Sequence, residues 1–192
     1  MAVTGGAVGI NVNDGSTEFM NKAVPIMKEQ GVTTVRLWHS VDFKSESSKR
    51  IGGVLKRAVD YSNKGFDVML IVHTKDGKAT NPAQVKSWFQ WATDNEALKN
   101  AVDRWEIGNE PDHEQYWKGT LKTYVNDFLK PAAQVLQAEG EPVVSGAPSW
   151  NPQDVKEMID YGMLNYVDYV GYHPYANGCL LYTSPSPRDA TL

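Results

Sequence analysis

The stretch "RWEIGNEPD" (104–112) opens as an apolar-leaning run through Trp105 and Ile107 and ends on an amide, a carboxylate and a proline. Buried at a strand end without partners, Asn109 and Glu110 would each cost on the order of a few kcal/mol. Their pairing therefore points to use. Other polar and aromatic side chains stand at the ends of similar β-like runs: Asn11 and Asn13, then Arg36 with Trp38 and His39, His73, Ser149 with Trp150, and His173 with Tyr175. A carboxyl group among imidazoles can move protons, and two histidines with an acid can ligate a metal. Each residue also has an ordinary reading. Asn13 fits an Asx turn with Gly15, Arg36 fits a pair with a buried acid, and His73 fits a satisfied core histidine. Packing alone does not explain why all of them collect at strand ends.

The elements that must position them are legible as an alternation. Six short β-rich runs, "AVGINVN" (7–13), "VTTVRLW" (32–38), "DVMLIVH" (67–73), "RWEIGN" (104–109), "PVVSGA" (142–147) and "VDYVGYH" (167–173), are separated by longer amphipathic segments. In the first of these segments Ser16 can cap, Phe19, Met20, Ala23, Ile26 and Met27 follow helical spacing, and Gly31 stops the helix. Pro25 within that pattern predicts a kink or a break. Alternating apolar strands and helices predict a parallel sheet covered by helices. The first strand-to-helix turn, "NVNDGS", lacks the glycine spacing of a dinucleotide-binding sheet. The strands recur at about the ~31-residue interval of a (β/α)8 barrel of ~250 residues. The expected fold is an α/β TIM barrel truncated to about six βα units.

In register with that fold, "WEIGNEP" resembles the N-E-P signature that ends the fourth strand of clan-A retaining glycoside hydrolases. "VGYHPYA" resembles their sixth strand, "TTVRLW" their second with its arginine, and "LIVH" their third with its histidine. The resemblance covers residues 7 to 177 and implies hydrolysis of O-glycosidic bonds in β-linked poly- or oligosaccharides, with no cofactor and no metal. It makes Glu110 the general acid/base and Asn109 the partner of the sugar 2-hydroxyl, and it gives Arg36, His73, His173 and Tyr175 substrate-binding places. Trp38 and Trp150 join them, because flat rings at strand ends suit the apolar faces of sugars, and Asn13 joins as a polar group at the end of the first strand. Successive strand side chains point to opposite faces, so Asn109 and Glu110 can share a pocket only if the chain bulges or turns there. The nucleophile implied for the end of a seventh strand has no counterpart here. Glu106, roughly 13 Å below Glu110 at ~3.3 Å per residue, is expected to be a structural acid near Arg36. Asp112 and Glu114 are expected to be solvated loop acids, and Trp88 and Trp91 to be core.

Two further functions remain open. A metal-dependent hydrolase would use His73, His173 and an acid, although such barrels begin with a His-x-His pair where this chain has Asn11 and Asn13. A non-catalytic carbohydrate-binding barrel would keep the aromatics and lose the acids. The composition, 192 residues with 41% hydrophobic, 22% charged and a formal net charge of −4, is that of one globular domain without a basic nucleic-acid footprint. No run reaches the roughly 18 apolar residues of a membrane span, and no signal peptide is visible, so export stays open. The oligomeric state is not readable. The tail "CLLYTSPSPRD" resembles a translated reading frame of a transposase-type sequencing adapter. Residues 1–178 are accordingly expected to be a partial barrel holding strands one to six, and 179–192 a non-native tail that includes the single cysteine, Cys179. Such a fragment is expected to be inactive.

Overall fold

The computed structural model describes residues 8–12, 16–77, 81–149 and 151–173. Five parallel strands form one sheet: β1 (Val8–Val12), β2 (Val32–Val41), β3 (Asp67–Thr74), β4 (Arg104–Ile107) and β5 (Val143–Ser145). They lie side by side in chain order. An open doubly wound sheet reverses direction at a switch point, so an unbroken order with helical crossovers is the winding of a barrel.

The helices between them begin where the sequence supplies caps. Ser16 accepts from the Phe19 N–H at the start of α1 (Thr17–Glu29), which runs through Pro25 without the break that was one of the two expected outcomes there. Asn81 caps α3 (Pro82–Asp94), preceded in the chain by α2 (Gly53–Ser62). After α3 the helix restarts at Asn95, whose side chain caps the single turn α4 (Glu96–Lys99). A later run comprises α5 (Leu121–Thr123), π-helical turns over Tyr124–Leu129 and α6 (Lys130–Ala138). Here Pro131 is the cause: it lacks an N–H, and just before it the Lys130 N–H reaches back five residues to Val125 O. The last α-helix among the described residues is α7 (Pro152–Asp160), capped by Asn151.

Alternation divides the sheet into two faces. Leu37, Leu70, Val72, Trp105 and Ile107 point outward and are fully buried against the helices, among them Trp88 and Phe89. Trp105 meets the Phe89 ring at 6.0 Å. The register aligns Asn11 with Arg36, Trp38 with Ile71, and Ile71 with Glu106, which places a partly polar row on the inward face.

The sixth run differs from expectation. It lies beside β5 but pairs through one parallel bridge, Val144 to Tyr169. Beyond it the ladder passes to side chains and loops: Gly171 N–H donates to Ser145 Oγ at 3.0 Å and His173 N–H to Pro148 O at 2.9 Å. Gly171 permits this closeness, since a Cβ there would stand 2.8 Å from Ser145 O. Among the described residues no helix is long and apolar enough to cross a membrane. The tail from Cys179 lies outside the described residues.

Candidate active site

β4 ends at Ile107 because the next residues leave the extended region. Gly108 takes φ +82° and Glu110, a non-glycine, takes φ +41°. The turn is anchored from below by Tyr124, whose hydroxyl donates to Ile107 O at 2.6 Å and accepts from Gly146 N–H at 2.7 Å, joining the ends of β4 and β5. Burial raises the pKa of that phenol, so it stays a neutral donor. A side chain at Gly108 would combine a left-handed backbone with a Cβ 3.1 Å from the Tyr124 ring. The two left-handed residues break the strand's period of two. Asn109 is buried at 4% exposure, and the Glu110 side chain is 12% exposed.

Below them an ion pair crosses the inward face. Arg36 holds both oxygens of Glu106, Nε to Oε2 at 2.7 Å and NH2 to Oε1 at 2.6 Å, with side-chain exposures of 15% and 3%. The same guanidinium donates to Asn11 Oδ1 at 3.0 Å and to Asn109 Oδ1 at 3.3 Å. One planar donor thus ties β1, β2, β4 and the residue before Glu110. Removing one partner of a buried pair leaves an uncompensated charge at a cost of about 3–5 kcal/mol. Glu106→Ala is therefore expected to lower the chemical-denaturation free energy by that order, and a loss below about 1 kcal/mol would show that Arg36 finds another acid.

Above them Glu110 Oε1 lies 2.9 Å from His173 Nδ1. Two residues on, Asp112 accepts from the Ser149 N–H at 2.9 Å and from its hydroxyl at 3.0 Å. Asp112 is thus not the solvated loop acid expected from the sequence but a clasp between the loops after β4 and β5. Glu114 is exposed. Asn13, Trp150 and Tyr175, three of the sequence candidates, lie outside the described residues.

Trp38 and His73 meet on the inward face, where the Trp38 indole N–H donates to His73 Nε2. His73 is 9% exposed. Tyr116, which no periodic signal in the sequence marks, brings its ring to 5.3 Å from Trp38. His39, grouped with Trp38 in the sequence, points the other way: one residue along a strand reverses the face, and its ring lies 5.8 Å from Trp88. Trp117 is core, stacked on Phe128 at 5.8 Å, and Trp88 is fully buried.

Burial lowers the pKa of both His39 and His73 to about 4, with His73 and Arg57 adding to the effect at His39. Their folded values lie below the unfolded value of about 6.5. The unfolded chain therefore takes up protons that the folded chain refuses, and stability that is intact above about pH 6.5 falls as the pH drops towards 4. Each histidine contributes on the order of 3 kcal/mol to that loss. Thermal midpoints measured between about pH 7.5 and 4.5 should fall steeply, and His39→Gln should flatten part of the slope. A flat profile in the parent chain would contradict the burial of both rings.

Among the described residues no group of three His, Cys, Asp or Glu side chains is assembled to hold a metal. No protein-family model matches the sequence, and no curated protein matches it. Solved structures do match. A glycoside hydrolase family 30 subfamily 8 xylanase from Clostridium acetobutylicum aligns with TM-score 0.60 and 14% identity over 89% of this chain and 49% of that one. A family 51 α-L-arabinofuranosidase from Bifidobacterium longum aligns with TM-score 0.60 and 15% identity over 89% and 43%. A candidate deoxyribose-phosphate aldolase from Coccidioides immitis aligns with TM-score 0.52 and 15% identity over 90% and 60%. The chain spans about half the length of the first two. It has the α/β fold of the TIM-barrel glycoside hydrolases. Since a candidate aldolase shares that fold, the chemistry must come from the side chains.

Proposed function

We propose that this chain carries the acid/base part of a retaining glycoside hydrolase acting on β-linked poly- or oligosaccharides. One observation carries the reading: Glu110 stands beyond the end of β4 on a left-handed backbone, one oxygen against His173, next to an asparagine held by Arg36. Such strand ends are where barrel enzymes keep their chemistry. As an acid, Glu110 protonates the departing glycosidic oxygen. As the resulting carboxylate, it takes a proton from the water that releases the sugar. The Arg36 guanidinium occupies Asn109 Oδ1, so the amide N–H is the group left for the sugar 2-hydroxyl, a bond that strengthens as positive charge develops on the ring.

Trp38, His173 and, from the sequence, Asn13, Trp150 and Tyr175 complete the binding side, with His73 held against Trp38. The nucleophile, about 5–5.5 Å from Glu110 in a retaining enzyme, is assigned to a strand beyond residue 178. Glu106 is unsuited to that role because Arg36 occupies both its oxygens. On this reading residues 1–178 are part of the barrel and 179–192 are adapter-derived. The xylanase and arabinofuranosidase neighbours favour a carbohydrate substrate.

The test is the stereochemistry of the complete gene product. With β-linked aryl glycosides and oligosaccharides, proton NMR of the first-formed sugar is expected to show the β anomer. A first-formed α anomer would overturn double displacement, and no hydrolysis of any O-glycoside would overturn the enzyme class.

A further inference from the structure

We propose that Trp38 and Tyr116 form a subsite for one neutral saccharide ring, and that His73 is a positioning residue that fixes the Trp38 ring rather than a direct sugar contact. This rests on the glycosidase reading and goes beyond it by naming where a sugar away from the acid would stack and what holds the platform.

Trp38 lies on the inward face of β2, two residues beyond Arg36, opposite in orientation to the apolar core between sheet and helices. Its neighbours on that face are Arg36, Ser40 and His73 together with the buried Ile71 directly opposite it, so the indole stands in a mixed polar and apolar row and not in the core between sheet and helices. Tyr116 reaches it from the loop after β4, six residues beyond Glu110, with the two rings inclined at 58°. Both rings are half-buried, with part of each surface left to solvent. Two inclined aromatic faces make a shallow V, a shape that suits the apolar face of a sugar ring while its hydroxyls stay in water.

The loop carrying Tyr116 is seated by close backbone packing. Gly77, after β3, has φ +65°, and a Cβ there would stand 3.0 Å from Gln115 O and 3.1 Å from the Tyr116 carbonyl carbon. Lys118 N–H donates to Gly77 O at 2.8 Å. The ends of β2 and β3 and the loop after β4 therefore converge on one aromatic pair.

The indole N–H is only a donor, so His73 Nε2 must be an acceptor and the proton of the neutral ring sits on Nδ1. That bond fixes the rotation of the indole about its side chain. It also occupies the ring nitrogen that a sugar hydroxyl would use, which moves His73 from the binding role expected of it to a supporting one.

The experiment is calorimetric titration of xylohexaose, cellohexaose, mannohexaose and arabinohexaose into this chain and its variants. Tyr116→Ala is expected to weaken the best of these about tenfold, and Tyr116→Phe to restore most of the loss, because the ring and not the hydroxyl stacks. His73→Leu is expected to weaken binding similarly when Trp38 is present and to add nothing in a Trp38→Ala background, a coupling that a merely structural loss does not produce. Equal losses in both backgrounds would overturn the positioning role. Binding left within about twofold by Tyr116→Ala would overturn the subsite while sparing the glycosidase reading. No binding of any of the four by the parent chain would overturn the subsite, while the glycosidase reading stands or falls on the stereochemical test of the complete gene product. Tyr116 lies on a loop outside the core, so its variants decide the question even if Trp38→Ala fails to fold.

Discussion

Replacing Glu110 by Gln in the complete gene product is expected to lower kcat/KM about 10²–10⁴-fold on oligosaccharides and on aryl glycosides with poor leaving groups. Glutamine keeps the shape of glutamate and can still meet His173, but it has no proton to give. A dinitrophenyl glycoside needs almost no protonation to leave, so its kcat/KM should fall far less. Its kcat should nonetheless drop, because the same side chain is the base that activates water in the second half of the reaction. The glycosyl-enzyme then accumulates. KM falls together with kcat, and rapid mixing should show a burst of released dinitrophenol close to one per active site. Equal loss on both kinds of substrate, without a burst, would remove Glu110 from the acid/base role and leave it a binding residue.

What the sequence made legible follows from which physical signals are local. The period of hydrophobicity and the Asn and Ser caps place strands and helices to within a few residues, since both act over one or two turns of chain. The pairing of Arg36 with Glu106 was readable because two charges on inward strand positions of a barrel have few places to go. The sharing of one site by Asn109 and Glu110 was readable only as a requirement. Its solution, left-handed backbone at Gly108 and at Glu110 itself, depends on Tyr124 from a distant helix holding Ile107 O.

All but the first of the misreadings are non-local. His39 was grouped with Trp38 although a one-residue step reverses the face of a strand. The run 167–173 has full β character, yet Ser145 Oγ and Pro148 O take bonds that a ladder would have used. Asp112 looks like any loop acid until the loop after β5 brings Ser149 to it. Tyr116 has no pattern of its own, because its position is set by the bare backbone of Gly77 across the gap between two loops.

On the proposed reading the 192-residue chain is expected to hydrolyse no glycoside, and a chain extended by two further βα units is expected to be active. A retaining reaction needs two carboxylates, one to protonate and one to trap the sugar. Among the described residues only the first has a candidate, and on the proposed reading a bound glycoside is polarised but not carried to the covalent intermediate. The sheet points the same way. β1 is an edge strand with Val8 48% and Ile10 42% exposed, and at the other edge Tyr169 is 52% and Val170 44% exposed. Apolar side chains at both edges of the described sheet are what two further βα units would cover, while open edges also invite pairing between chains. Adding the two units should therefore raise the thermal midpoint as well as confer turnover. Binding and catalysis should separate in the short chain, with oligosaccharides held at Trp38 and Tyr116 and released unchanged. Robust turnover by the 192-residue chain, abolished by Glu110→Gln, would mean that a nucleophile is already present within it and that the missing-strand assignment is wrong.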